Sequence, residues 1–105
     1  MDKKKAIEIT KQFTRVVNKH FPVRMVILYG SYAKGVFREH SDIDIAVVID
    51  KIEGDFLSAS AQLHRFVWDI DTRIEPVLIE NNKDKSGFLD GILEYGIVIY
   101  EKGAA

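Results

Sequence analysis

The 105-residue chain contains no cysteine. That excludes disulfides, thiolate zinc sites, iron–sulfur clusters and cysteine nucleophiles together, and it fits a reducing compartment. Charge of one sign is also lacking. Fifteen basic residues face sixteen acidic ones, for a net charge of −1, so global charge does not point to a nucleic-acid binder. Long apolar runs are missing. The strongest, Met25–Tyr29, is far too short to span a membrane. The first residues, Met1 to Ala6, carry positive charge with no apolar stretch behind them, unlike a signal peptide. Only two prolines occur, Pro22 and Pro76, and no repeat, linker or low-complexity tract is visible. The remaining balance, 47% hydrophobic and 30% charged, is that of an ordinary globular protein with a core of its own. The expectation is one cytoplasmic domain over residues 1–105.

Periodicity predicts eight elements. Ala6, Ile9, Phe13, Val16 and Val17 recur at helical spacing, and Pro22 ends that pattern. Arg24–Tyr29 reads as a buried strand that stops at Gly30-Ser31. A loop or short helix runs to about His40, and Ile43–Ile49 is a second strand. Gly54-Asp55 is a turn with a helix cap. After it Phe56, Ala59, Leu63, Phe66 and Ile70 step along one face, and Trp68 is expected in the core. Arg73–Ile79 is a third strand, broken by Asn81–Asp84. Phe88–Leu93 is a short helix with Gly96 as its C-cap, and Ile97–Tyr100 is the last strand. Lys102–Ala105 looks like a frayed end. The order α-β-(loop or short α)-β-α-β-α-β predicts an α/β (α+β), two-layer fold, with helices packed on a mixed sheet.

Two stretches carry chemistry. Gly30-Ser31-Tyr32-Ala33-Lys34-Gly35 follows a strand directly, where backbone N–H groups can approach an anion. A strand–Gly–Ser turn is common, so this alone is weak. The glycine spacing is that of a P-loop, but Val36-Phe37 stands where Lys-Ser/Thr must be, which excludes one. Lys34 and Arg38 flank the loop and could reach a phosphate or simply be solvated. Tyr32 could stack on a base or pack at the start of the helix.

The second stretch is Ser41-Asp42-Ile43-Asp44-Ile45. Strand residues two apart share a face, so Asp42 and Asp44 stand side by side in an otherwise apolar segment. Two adjacent carboxylates are costly to bury unless a cation offsets them, and a hard divalent ion is the simplest one. Asp42 could instead be a solvated strand-entry residue. An EF-hand is excluded by the β-type surroundings and the absence of a loop glycine and closing Glu. His20, His40 and His64 have no metal-ligand spacing; His64 is expected at the surface or its boundary, and Lys3-Lys4-Lys5 is expected to be solvated. Ten residues separate Ser31 from Asp42. Adjacent strands can bring a phosphate cradle and a carboxylate pair to one cleft, as phosphoryl or nucleotidyl transfer needs.

Gly30-Ser31, ten residues, then Asp42-Ile43-Asp44 resembles the signature of the DNA polymerase beta-type nucleotidyltransferase superfamily. The fuller string and the length are most similar to its minimal nucleotidyltransferases, the MNT-type proteins. The resemblance implies that Gly30 and Ser31 hold a nucleoside triphosphate such as ATP, and that Asp42 and Asp44 bind two Mg2+ ions. It also implies a third carboxylate on a later strand that holds one of those ions and helps activate the attacking hydroxyl. Glu75, Asp71 and Asp69 are candidates, and Glu75, inside a strand, matches best. It departs from the Asp more usual in the superfamily, and Pro76 beside it is expected to perturb the strand.

The resemblance further implies a HEPN-domain toxin as partner, with AMP transferred to a tyrosine of that toxin by an antitoxin. So short a chain leaves little to build an acceptor pocket, which suggests a site completed in a homodimer or hetero-oligomer. Two other readings compete: nucleotidyl transfer to a small molecule such as an aminoglycoside, and a non-catalytic module that neutralises its partner by contact.

Overall fold

The structure, a computed structural model, describes residues 1–104. Helix α1 (Lys3–Asn18) is followed by strand β1 (Val23–Tyr29), the one-turn helix α2 (Gly30–Lys34) and strand β2 (Ile43–Ile49). Then come α3 (Phe56–Val67), β3 (Ile74–Glu80), α4 (Phe88–Leu93) and β4 (Ile97–Glu101). The predicted order holds throughout.

Local chemistry explains where the long helices begin. Asp2 caps α1 by accepting from the Lys5 N–H at 2.8 Å, and Asp55 caps α3 by accepting from the Ser58 N–H at 3.0 Å. Two threonines are buried in α1 without penalty, because Thr10 and Thr14 return their hydroxyls to the carbonyls of Ala6 and Thr10, both at 2.8 Å.

The sheet order is β3-β2-β1-β4. β1 runs antiparallel to β2 and β4, while β2 and β3 are parallel, so the sheet is mixed as expected. A parallel pair needs a crossover, and α3 supplies it. Alternation sorts the side chains. Val26, Leu28, Ile43, Ile45, Val47, Ile49, Ile74 and Leu78 join Ala6, Phe13, Val17, Ala59 and Leu63 in the main core beneath α1 and α3. On the opposite face Ile27, Ala46, Val48 and Ile79 form a smaller cluster with Ile92 of α4. That face is covered only in part, and its uncovered end carries the polar residues. No helix among the described residues is long and apolar enough to cross a membrane.

Five expectations need correction. Trp68 is not core; it is 77% exposed. The buried stripe of α3 is Ala59, Leu63 and Val67, at steps of four, and one residue past Val67 turns Trp68 about 100° away from the sheet. Phe56, at the head of the predicted stripe, is also exposed. Gly96 is not a left-handed cap. It permits close packing instead, because a Cβ there would meet the Ile92 carbonyl oxygen at 2.6 Å and Ile27 Cγ2 at 2.7 Å. Pro76 does not break β3, an edge strand that tolerates proline. Lys102 is not frayed: its N–H donates to the Arg24 carbonyl at 2.9 Å and its ammonium lies 3.6 Å from Asp50. Ala105 lies outside the described residues.

Candidate functional site

The two sequence motifs meet. β1 ends at Tyr29, which pairs with Asp44 of β2, so the Gly30 turn begins beside that aspartate. Gly30 has φ +69, in the left-handed region. A Cβ placed there would lie 2.0 Å from Asp44 Oδ2, inside any tolerable contact. Two independent constraints therefore require glycine at this position: the backbone conformation and the carboxylate behind it.

The helix that follows is five residues long, too short to gather much of a macrodipole. Any anion affinity of this turn must come from its individual N–H groups and from nearby side chains. Ser31 is half-buried, and Tyr32 is fully buried, stacked on Phe37 with ring centroids 4.5 Å apart. Packing, not base stacking, is the role of Tyr32.

Asp44 also pairs in register with Glu75 of β3. In a parallel pair, residues in register project to the same face, so the two carboxylates are neighbours although 30 residues of chain lie between them. Asp42, two residues before Asp44, approaches the same end of the sheet. Asp44 is half-buried while Asp42 and Glu75 are exposed. Burial pushes the Asp44 carboxyl above the usual carboxylate range, and the charges of Asp42 and Glu75 push it further. None of the three takes part in an ion pair among the described residues. As placed, no group of three such side chains among the described residues is close enough to hold a metal ion. They stand near enough to feel one another's charge.

The other candidates for the third carboxylate are elsewhere. Asp71 is committed to Arg73: it accepts from the Arg73 N–H and Nε at 2.9 Å and from Nη2 at 2.6 Å. Those bonds hold its carboxyl below the usual range. Asp69 is exposed in the turn after α3. Only Glu75 shares a sheet face and a register position with Asp44.

Of the flanking cations, Lys34 lies at the loop, its Nζ 4.7 Å from the centroid of the Tyr95 ring. Arg38 is exposed in the connection to β2, its N–H donating to Ser41 Oγ at 2.7 Å. Among the described residues no hydrogen bond or ion pair joins Arg38 to the acids or to the Gly30 turn. His64 is exposed, as expected.

Sequence reasoning missed two tyrosines. The Tyr29 hydroxyl is pushed up to about 12 by burial and by the charges of Asp44, Tyr95 and Glu75, which locates it among them. Tyr95 accepts a hydrogen bond from the Gly30 N–H at 3.2 Å. Tyr29 could have been found from its place immediately before the glycine. Tyr95 is 65 residues away, and no local signal marks it. Farther along the same face of β3, Val77 and Ile79 line a cavity of about 360 Å³ with Phe56, Lys83, Asp84 and Phe88.

Comparison with known proteins identifies the family and the fold. The family described as polymerase beta nucleotidyltransferase matches residues 11–104. A Methanocaldococcus jannaschii protein with the provisional name of protein adenylyltransferase is 32% identical over 95% of this chain and all of its own length. A second protein from that organism, named likewise, is 28% identical over 89% of this chain and 97% of itself. A Sulfolobus solfataricus structure provisionally named a nucleotidyltransferase superposes with a TM-score of 0.73 at 22% identity, covering 95% of this chain and 84% of that one. A Shewanella oneidensis complex of an MNT antitoxin with a tri-AMPylated HEPN toxin gives a TM-score of 0.60 at 17% identity, over 94% of this chain and 72% of that one. The structural likenesses, at such identities, speak for the fold.

Proposed function

The chain belongs to the polymerase beta nucleotidyltransferase family, and on that footing we propose that it transfers AMP from ATP to a hydroxyl of a partner protein. The observation that supports this most is the meeting of the two motifs, with a glycine required at position 30 to make room for Asp44. The acceptor is a tyrosine of a HEPN-domain toxin, and the chain acts as its antitoxin. The names of the M. jannaschii relatives and the AMPylated toxin in the S. oneidensis complex support that acceptor class. Residues 1–105 serve as one catalytic unit in the cytoplasm, where ATP is supplied, and the toxin completes the acceptor side of the site.

In this reading the acceptor oxygen attacks the α-phosphorus of ATP. The bond from that phosphorus to the bridging oxygen breaks, and pyrophosphate leaves. The hydroxyl proton passes to Glu75. Gly30 and Ser31 hold the β- and γ-phosphates, with Lys34 and Arg38 contributing positive charge.

Asp42, Asp44 and Glu75 would hold Mg2+. The fit rests on donor chemistry: three carboxylates that no cation pairs among the described residues, at a turn cleared of a side chain. When bound, Mg2+ supplies the positive charge that offsets the acids and the triphosphate together. Without it, burial and the like charges of Asp42 and Glu75 keep Asp44 reluctant to ionise and leave the acids poorly suited to receive a further anion.

The test is intact mass spectrometry of a HEPN partner incubated with ATP, Mg2+ and this chain. One or more added AMP units, absent with Asp44→Asn, are expected. Tight association of the two proteins with no mass gain would favour neutralisation by contact and overturn the catalytic reading.

A further inference from the structure

Tyr95 meets the glycine turn from the far end of the sequence, at the entry to β4. Its hydroxyl accepts from the Gly30 N–H at 3.2 Å, and its ring backs the Lys34 ammonium at 4.7 Å. We propose that Tyr95 is a nucleotide-binding residue whose O–H donates to a phosphate oxygen of the triphosphate while its ring aims Lys34 at the same group. The inference rests on the nucleotidyl-transfer reading and adds a residue to its phosphate site.

Three observations carry it. First, an oxygen that accepts from an N–H must point its own proton elsewhere. Among the described residues no hydrogen bond uses the Tyr95 proton, and the side chain is 36% exposed, so the donor is open to a ligand. A donor that is itself accepting is polarised and donates more strongly. Second, among the described residues Lys34 has no carboxylate partner, and the aromatic face restrains a cation that would otherwise range freely. Third, the position of Tyr95 is enforced. Gly96 lies so close to β1 that a Cβ would come 2.7 Å from Ile27 Cγ2 and 3.2 Å from the Leu28 carbonyl oxygen. Tyr29, the residue before Gly30, meets Phe88 of α4 edge to face at 5.5 Å, which ties the preceding helix to the same strand end. The result is two neutral or positive donors beside the glycine turn, next to carboxylates that suit the cations of a polyanion.

An opposite role has the same starting geometry. Tyr95 could occupy the Gly30 N–H and have to leave before a phosphate binds. Calorimetric titration with Mg2+ and α,β-methylene ATP, which cannot be cleaved at the reacting bond, separates the two. Tyr95→Phe keeps the ring and removes the donor, and it should weaken binding roughly tenfold with a thermal midpoint unchanged within about 2 °C. Tyr95→Leu also frees Lys34 and should weaken binding by about a further threefold. Equal or tighter binding by Tyr95→Phe would overturn the proposal in favour of a displaced plug. Loss of affinity only in step with a lowered midpoint would reduce Tyr95 to a structural part and overturn it too. If the wild-type chain bound no analogue at all, the nucleotidyl-transfer reading itself would fall and take this inference with it.

Discussion

Two aspartates stand near the N-terminal ends of the parallel β2–β3 pair, and the fold treats them in opposite ways. Asp71 is held by three hydrogen bonds from Arg73, which keep its carboxyl low. Asp44 faces Asp42 and Glu75, is half-buried, and has its carboxyl raised. The signs of the stability contributions follow. A lowered pKa means that the Asp71 pair stabilises the fold above the ordinary value of 3.8 and loses that contribution as pH falls through the lowered value. A raised pKa means that ionised Asp44 costs stability. That cost is absent below 3.8 and complete once pH has risen past the raised value. One acid holds the chain together, and the other is kept at the expense of stability. That expense is a physical sign of a functional residue.

Activity should split the two regions most widely. Asp44→Asn and Glu75→Gln are expected to lower AMP transfer at least about 100-fold, whereas Asp71→Asn stays within about threefold of wild type. Transfer of radiolabelled AMP at fixed ATP reads all three, and an inactive Asp71→Asn that is still folded would break the comparison. Next in size is Gly30→Ala, which forces a Cβ onto Asp44 at φ +69. It should cost about 1–3 kcal/mol in urea unfolding, and removing the Asp44 side chain in the same protein should recover part of that loss.

A smaller effect has the opposite sign. Asp44→Asn should raise the thermal midpoint by about 2–5 °C at pH 7, modest because solvent screens the site, and the gain should vanish in acid where Asp44 is protonated. The smallest is Asp71→Asn, which should lower stability by under about 1 kcal/mol at pH 7, since the Arg73 side chain is 41% exposed and solvent screens the pair. That loss should shrink as pH drops below the carboxylate range.

Sequence reveals these regions unequally, for physical reasons. Gly30-Ser31 and Asp42-Ile43-Asp44 are legible because each is a local pattern whose spacing has one sensible use. Glu75 is legible as a strand carboxylate. Its pairing with Asp44 depends on the register of β3 against β2, a long-range property that neither strand carries alone. The bond between Asp71 and Arg73 spans only two residues, yet no residue type announces it. Tyr95 is invisible for the reason that makes it interesting, a contact across 65 residues fixed by the fit of Gly96 against β1. Trp68 misleads because a large aromatic reads as core, whereas helical phase puts it outside.

The most direct test of unpaired acids awaiting a cation is to follow the side-chain carboxyl carbons of the wild-type chain by NMR across pH, with and without Mg2+. The account predicts that Asp44 titrates above its ordinary value of 3.8 in the free protein and falls below it when Mg2+ is added, while Asp71 titrates below 3.8 in both. An Asp44 that titrates at or below 3.8 without Mg2+, and does not move when it is added, would contradict it.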